Sequence, residues 1–366
     1  MNSSAEEALR AAVHELAGEA RAVPDLAAGA LRRGRRVRAH RRAMVVAVSV
    51  LAVAAMILPF VLLRHRPPVL PAVPEPTVSA TPGPDLLPTP GRDWTTSPLV
   101  LPGGWVVGSA LRDGTGWVLD RSRNRYQRAA GYAGVWPAPR GAFSALVDAN
   151  RPLEIGLGDT ARGRTTWIRV GPGVGPLQWS PDGRRLVVTI SDKDTGGRFI
   201  GVLSTDGGFR RYPVDTVRYF CTDHCFFTWT RDGREVALQQ TDAFAPRSES
   251  ARHPRRGVQL FSADDGRPTR FVAVPGDPVG PWAWSPDGRL VVVQGQAEPL
   301  LVETATGRVL RALPTADTVF VSDDRLLYRR PYGYRDYVLA DPTGRELARQ
   351  PVPREVATLD LSATPR

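Results

Sequence analysis

Lysine is nearly missing from these 366 residues: Lys193 stands alone among 48 basic side chains, and the rest are arginine. Cysteine is held to two positions and histidine to five, of which only His224 and His253 fall after residue 93. These scarcities exclude several chemistries. Two cysteines cannot build a disulfide framework. Gly-x-Ser-x-Gly is absent, and two histidines leave a Ser-His-Asp relay few choices of base. The first 43 residues contain no cysteine, so a cysteine-ligated zinc site is excluded there. No long run with helical periodicity follows residue 93 either. On this inventory no catalytic, cofactor-binding or metal-binding residue is assigned, and the chain is expected not to be an enzyme.

The net charge of +11 raises the question of nucleic acid. Arginine in place of lysine, with 34 Pro and 35 Gly, reads instead as codon bias of a GC-rich, actinobacterial type of genome. Much of the charge is also local. Residues 1–43 hold nine Arg against five acidic residues, and Arg64 and Arg66 lie just beyond the apolar run that follows. The excess left over the remaining residues is ordinary for a large domain, so no nucleic-acid partner is expected.

Residues 1–43 are read as a cytoplasmic region. Ser3 or Ser4, with Glu6 or Glu7 three positions on, can form a capping box, and Leu9, Val13 and Leu16 share one helical face. This short amphipathic helix is either part of a loosely ordered tail or a docking element for a cytoplasmic regulator. An arginine cluster from Arg32 to Arg42 precedes residues 44–63, which carry no charge. Twenty helical residues span about 30 Å, the thickness of the bilayer's hydrocarbon core. The arginine excess on the N-terminal flank places that side in the cytoplasm. A cleaved signal peptide is the other reading, but the apolar run is long for one and no small-x-small cleavage site follows. Residues 64–93 are a proline-rich extracytoplasmic linker, extended and semi-rigid. The expected location is therefore the cell membrane, with the bilayer contacted by a single pass.

Residues 94–366 consist of short β-type runs between turn residues. Trp284-Ser285-Pro286-Asp287-Gly288-Arg289-Leu290-Val291-Val292 recurs as Trp179-Ser180-Pro181-Asp182-Gly183-Arg184-Arg185-Leu186-Val187, and more loosely as Trp229-Thr230-Arg231-Asp232-Gly233-Arg234-Glu235-Val236. Each copy reads as a strand ending in Trp, a tight turn and a second apolar strand. Phe320, Trp136 and Leu99 mark weaker repeats in the same phase, and a third strand ending in Asp-Gly or Thr-Gly follows each sharp turn. Four strands in each repeat of this length is the unit of a propeller blade. The expected fold is all-β: a propeller of about six four-stranded antiparallel blades outside the membrane, after one transmembrane helix. Val356–Leu361 is a spare strand that can close the ring.

The Trp-Ser-Pro-Asp-Gly-Arg pattern resembles the TolB-type, WD-repeat-like propeller family. The resemblance implies the fold, but no single activity, because the family includes both scaffold proteins and domains attached to peptidases. The Asp-Gly turns need no metal, since turn geometry explains both residues.

Cys221 and Cys225 bracket a three-residue turn. They read as a local disulfide, or with His224 as part of a metal site lacking an identifiable fourth ligand. The segment Asp242–Arg256 lengthens one blade. It is either a solvated excursion or a contact for an anionic polymer or acidic protein surface through Arg247, Arg252, Arg255 and Arg256. Tyr332 and Tyr334, flanking Gly333, make a second candidate ligand surface. Two functions follow. One is a non-catalytic module binding a protein or cell-envelope ligand on the propeller's loop face. The other is a transmembrane sensor, resembling anti-sigma-type proteins in topology alone, whose N-terminal region binds a cytoplasmic partner. A hydrolase is the weaker third reading.

The topology has a direct test. A Ser79→Cys variant of the full chain should react with a membrane-impermeant maleimide in intact cells, and labelling only after permeabilisation would reverse the orientation.

Overall fold

The computed structural model describes residues 93–366, apart from 113–114, 193–196, 222–224, 245–252 and 331–335. The amphipathic segment, the arginine cluster, the apolar run 44–63 and the linker lie outside the described residues. Among the described residues no helix is long and apolar enough to cross a membrane.

Among the described residues twenty-five strands form six antiparallel sheets. Blade 1 contains β1 (Val100–Leu101), β2 (Trp105–Arg112), β3 (Thr115–Asp120) and β4 (Arg125–Ala129). Blade 2 contains β5 (Gly134–Pro137), β6 (Phe143–Val147), β7 (Glu154–Asp159) and β8 (Arg164–Arg169). Blade 3 contains β9 (Val174–Trp179), β10 (Arg185–Ser191), β11 (Arg198–Ser204) and β12 (Phe209–Val214). Blade 4 contains β13 (Thr228–Trp229), β14 (Glu235–Thr241), β15 (Arg255–Ser262) and β16 (Pro268–Val272). Blade 5 contains β17 (Asp277–Pro278), β18 (Leu290–Gln294), β19 (Pro299–Glu303) and β20 (Val309–Ala312). Blade 6 contains β21 (Val319–Ser322), β22 (Arg325–Arg329), β23 (Asp336–Ala340) and β24 (Glu346–Pro351). The last strand, β25 (Asp360–Pro365), pairs with β2 in register Trp105↔Pro365 and so completes blade 1.

The second strand of a blade is buried on both faces, and its sequence shows it. Leu186, Val188 and Ile190 of β10 pack toward blade 2, whereas Val187 between them packs toward blade 4. Likewise Val291 and Val293 of β18 face blade 4 while Val292 faces blade 6. Period-2 side chains feeding two different cores require an unbroken apolar run rather than alternation. Six apolar clusters result, each shared by two neighbouring blades, and the cluster joining Leu327, Tyr337 and Leu339 to Trp105 and Tyr126 closes the cycle between blades 6 and 1.

The repeated turn is more than Asp and Gly. Ser285 Oγ donates to Asp287 Oδ1 at 2.6 Å and accepts the amide of Leu290 at 2.9 Å, while Asp287 Oδ1 accepts the amide of Arg289 at 3.0 Å. Ser180 with Asp182, and Thr230 with Asp232, repeat the arrangement. Gly183, Gly233 and Gly288 all have φ near +70°, the left-handed region where glycine is least strained. The motif tryptophans staple blade to blade: Trp179 Nε1 donates to the carbonyl of Trp136 at 2.8 Å, and Trp229 Nε1 to that of Gln178 at 2.9 Å.

Two expectations shift. The spare strand does close the ring on blade 1, but it is β25, which keeps only Asp360 and Leu361 of the expected Val356–Leu361; Val356 sits in a turn whose amide donates to Pro353 O, and its side chain fills the core between blades 6 and 1. Leu99 therefore does not mark blade 1's inner strand. Its neighbours Val100 and Leu101 make only a two-residue pairing with β2, on the edge opposite β25.

Turn chemistry sets an acid limit. The Ser285 hydroxyl and the Arg289 amide hold the Asp287 carboxyl below the usual carboxylate range. A depressed folded-state value stabilises the fold above the unfolded value near 4 and loses that stabilisation as pH falls through the folded value. Ser285→Ala should cost about 1–2 kcal/mol at neutral pH. The stability gap between the natural chain and Asp287→Asn should narrow as pH is lowered from about 5 to about 2 in denaturant melts.

Candidate functional site

The first strands of blades 2 and 3, the 279–283 segment of blade 5, Val319 of blade 6 and β25 line an open cavity of about 380 Å³ at the propeller axis. Its wall is mainly apolar, with Val135 and Trp136 of blade 2, Leu177 of blade 3, Val279 and Trp282 of blade 5, and Leu361 and Ala363 of β25. Antiparallel strands alternate direction, so all Ser-Pro-Asp-Gly turns gather on one face of the disc, the turn face. Connections such as β14–β15 and β22–β23, and those running from one blade to the next, leave on the other, the loop face. Asp360, exposed, stands on the cavity's wall at the loop face, and Asp317, also exposed, lines an adjoining pocket together with Arg329 and Tyr337.

Blade 5 departs from the repeat, and the departure shapes the site. After β17 the chain leaves the strand path for a 3-10 turn, Pro281–Ala283. Proline has no amide to give a strand ladder, which interrupts the pairing until Trp284 bridges Val291 of β18. The Val279 carbonyl accepts a 2.8 Å bond from Gln178 Nε2 of blade 3. The Trp282 ring meets Trp105 of blade 1 edge-on at 5.3 Å, and the Arg231 guanidinium of blade 4 lies over it at 4.4 Å. Arg231 Nη1 in turn donates to the carbonyl of Phe320, in blade 6, at 3.1 Å. Blades that are not neighbours touch only near the axis, so Val279–Trp282 narrows the channel at its turn-face end. Burial lowers the Arg231 value to about 10, and Arg140 adds to the effect while Asp323 opposes it. One consequence is an unpaired donor: Trp284 Nε1, equivalent to the stapling nitrogens of Trp179 and Trp229, is buried without a hydrogen-bond partner.

The residues singled out from sequence are distributed unevenly over this frame. The sulfurs of Cys221 and Cys225 are joined, 2.04 Å apart, in the connection from blade 3 to blade 4. A metal site would need them as separate thiolates. Arg255 is corrected. It begins β15, is only 9% exposed, and binds Asp277 of blade 5 through Nε at 2.7 Å and Nη2 at 3.0 Å. A buried bidentate pair across a blade interface is a structural clamp and offers nothing to an external ligand. Arg256 also belongs to β15, exposed, with its guanidinium 5.3 Å from the Phe271 ring. Arg247, Arg252, Tyr332 and Tyr334 lie outside the described residues. Among the described residues no three His, Cys, Asp or Glu side chains stand together as metal ligands.

Sequence reasoning missed Gln178, Trp282 and Arg231. A signal for Trp282 was present, since Gly280-Pro281 interrupts the strand that should lead into the motif Trp284. The span of Gln178 and Arg231 across the axis has no local signature.

No family model matches the chain, and no curated protein does. Among solved structures it is similar to hydrazine synthase of Kuenenia stuttgartiensis (14% identity over 67% of this chain and 82% of that one, TM-score 0.45). It is also similar to TolB from Acinetobacter baumannii (16% identity, 67% of this chain and 63% of that one, TM-score 0.44). A third is the β-propeller domain of the Trilobed protease from Pyrococcus furiosus (12% identity, 68% and 79%, TM-score 0.45). Likenesses this distant carry nothing about activity; the strand pairing itself defines the chain as a six-bladed β-propeller.

The sulfur pairing is open to a thiol count. Alkylation of the unreduced protein should find no free thiol, and two modified cysteines would overturn the pairing. Replacing both by Ser should cost no more than about 2 kcal/mol, because the loop they close is short.

Proposed function

We propose that the chain is a non-catalytic binding module, held outside the cell membrane by residues 44–63, that receives an apolar group of a protein or cell-envelope ligand in its axial cavity from the loop face. The axial cavity carries this reading: it is walled by Trp136, Leu177, Val279 and Leu361, with the exposed carboxylate of Asp360 on its wall and Asp317 and Arg329 in the pocket beside it. Apolar walls with a few placed polar groups are what a ligand pocket requires. The narrowing at Trp282 supports entry from the loop face.

Site-specific crosslinking in cells tests the proposal. A photoreactive amino acid at Ser362, on the cavity wall, should capture a defined species that one at Leu310, on the outermost strand of blade 5, does not. Val319→Trp, which fills the cavity, should abolish the Ser362 product while leaving the thermal transition within a few degrees of the natural chain. Identical crosslinking profiles at the two positions would refute this use of the cavity.

A further inference from the structure

Acidic side chains on the propeller are almost all engaged, by an arginine or by the amides and hydroxyls of their own turn. Among the described residues only Glu298, Asp317, Glu355 and Asp360 have a carboxylate with neither a hydrogen bond nor an ion pair. Glu298 and Glu355 lie in separate exposed loops. Asp317 and Asp360 line one pocket, beside the axial cavity on the loop face. Asp317 belongs to the connection from β20 to β21. Thr315 shapes that connection: its hydroxyl accepts the Asp317 amide at 3.3 Å and its carbonyl accepts the Thr318 hydroxyl at 2.7 Å. Asp360 opens β25, and the turn before it is tied to blade 6 by Arg329, whose Nη1 and Nη2 donate to the carbonyls of Leu359 and Ala357.

The same pocket holds an unsatisfied hydroxyl. Tyr337, opposite Arg329 in the β22–β23 ladder, is 4% exposed, and its hydroxyl makes no hydrogen bond within the protein. Tyr126, equally buried, uses both of its functions: its hydroxyl accepts the Leu99 amide at 3.0 Å and donates to the carbonyl of Val107 at 2.8 Å. Trp284 Nε1 is unbonded as well, but it is sealed in the core, whereas Tyr337 lines the pocket. Burial pushes the Tyr337 value up to about 12, with Arg329 opposing the rise and Asp317 adding to it, so the group remains a neutral hydroxyl at physiological pH. A hydroxyl in this position is costly to bury unless something in the pocket bonds it.

We propose that this pocket binds the primary ammonium at the end of an aliphatic chain, as on a lysine side chain or a free alkylamine, with Asp317 and Asp360 supplying the charge and Tyr337 a neutral oxygen acceptor. The inference rests on the reading of the axial cavity as a ligand pocket and adds the chemistry of the ligand's polar end. Two carboxylates against the single guanidinium of Arg329 leave the pocket negative on a chain whose net charge is +11. That balance disfavours an anion. A metal ion needs a fuller set of ligands, and among the described residues no three His, Cys, Asp or Glu side chains stand together. An ammonium brings three N–H donors and forms charge-assisted bonds with carboxylates. Val279, Val319 and Leu361 wall both this pocket and the axial cavity, so a chain attached to the ammonium passes from one to the other over apolar surface.

Calorimetric titration of the full chain in detergent with n-pentylammonium tests it, with 1-pentanol and pentanoate as neutral and anionic controls of equal length. Saturable binding of the ammonium is expected, tighter than either control and weakened about tenfold in Asp317→Asn and in Asp360→Asn. Both aspartates are exposed and unbonded, so these variants should keep the natural thermal transition. Glu298→Gln, which removes an unengaged acid outside the pocket, should leave binding unchanged. Tighter binding of a blocked lysine (Nα-acetyl-lysine methylamide) than of pentylammonium would point to a protein as the source of the ammonium, and the reverse order to a free amine. Equal losses in Asp317→Asn and Glu298→Gln would overturn the site. Pentanol bound as tightly as pentylammonium, with both aspartate variants silent, would overturn the ammonium site and leave the apolar cavity standing. No saturation by any of these probes below about 50 mM would overturn both.

Discussion

Burial of one strand between two neighbours is the constraint from which the rest of the domain follows. A single blade leaves both sheet faces apolar, as Leu186-Val187-Val188 and Val291-Val292-Val293 require, and neither face can be covered by the blade itself. Stacking blades covers one face of each, and only closure into a ring covers every face. The six inter-blade clusters are thus one continuous cycle of burial. The hydrogen-bonded turns and the Trp staples set the spacing within that cycle. The axial cavity is what remains where the inner strands converge without meeting.

Within that cycle the repeat is obeyed where packing demands it and broken where the axis is reached. Trp179 and Trp229 each reach back to the preceding blade. Trp284 keeps its burial but loses its hydrogen bond, because Pro281–Ala283 has left the strand path. An unsatisfied buried indole is unfavourable by about 1–3 kcal/mol. That penalty accompanies the placement of Trp282 across the channel, and it marks blade 5 as the blade shaped for the site rather than for the ring alone.

What could be read from sequence divides along the same line. The turns were legible because Ser, Pro, Asp and Gly act within six residues of one another, and the blade phase followed from the Trp before them. The role of Ser285 as acceptor for Leu290 was hidden only because Asp and Gly already accounted for the turn. Arg255 was misplaced as a surface residue because its partner, Asp277, belongs to the next blade, and nothing local announces a pairing across blades. The inner strand of blade 1 was assigned to Leu99 for the same reason: the real one is supplied by residues 360–365, from the far end of the domain. Axial contacts such as Gln178 to Val279 depend on the ring's diameter, which no stretch of sequence encodes.

The pairing of β25 with β2 also orders events in time. Trp105 is held opposite Pro365, so the first blade to leave the ribosome is the last to be finished. Until that strand arrives, the edge of β2 that it will occupy has no partner, and the apolar faces between blades 6 and 1 have nothing to pack against. Contacts at so great a separation in sequence form slowly, since the loop must close before they reward it. Until residues 360–365 are in place the domain is an open arc of five complete blades with two unmatched ends, and that strand is the latch that closes it.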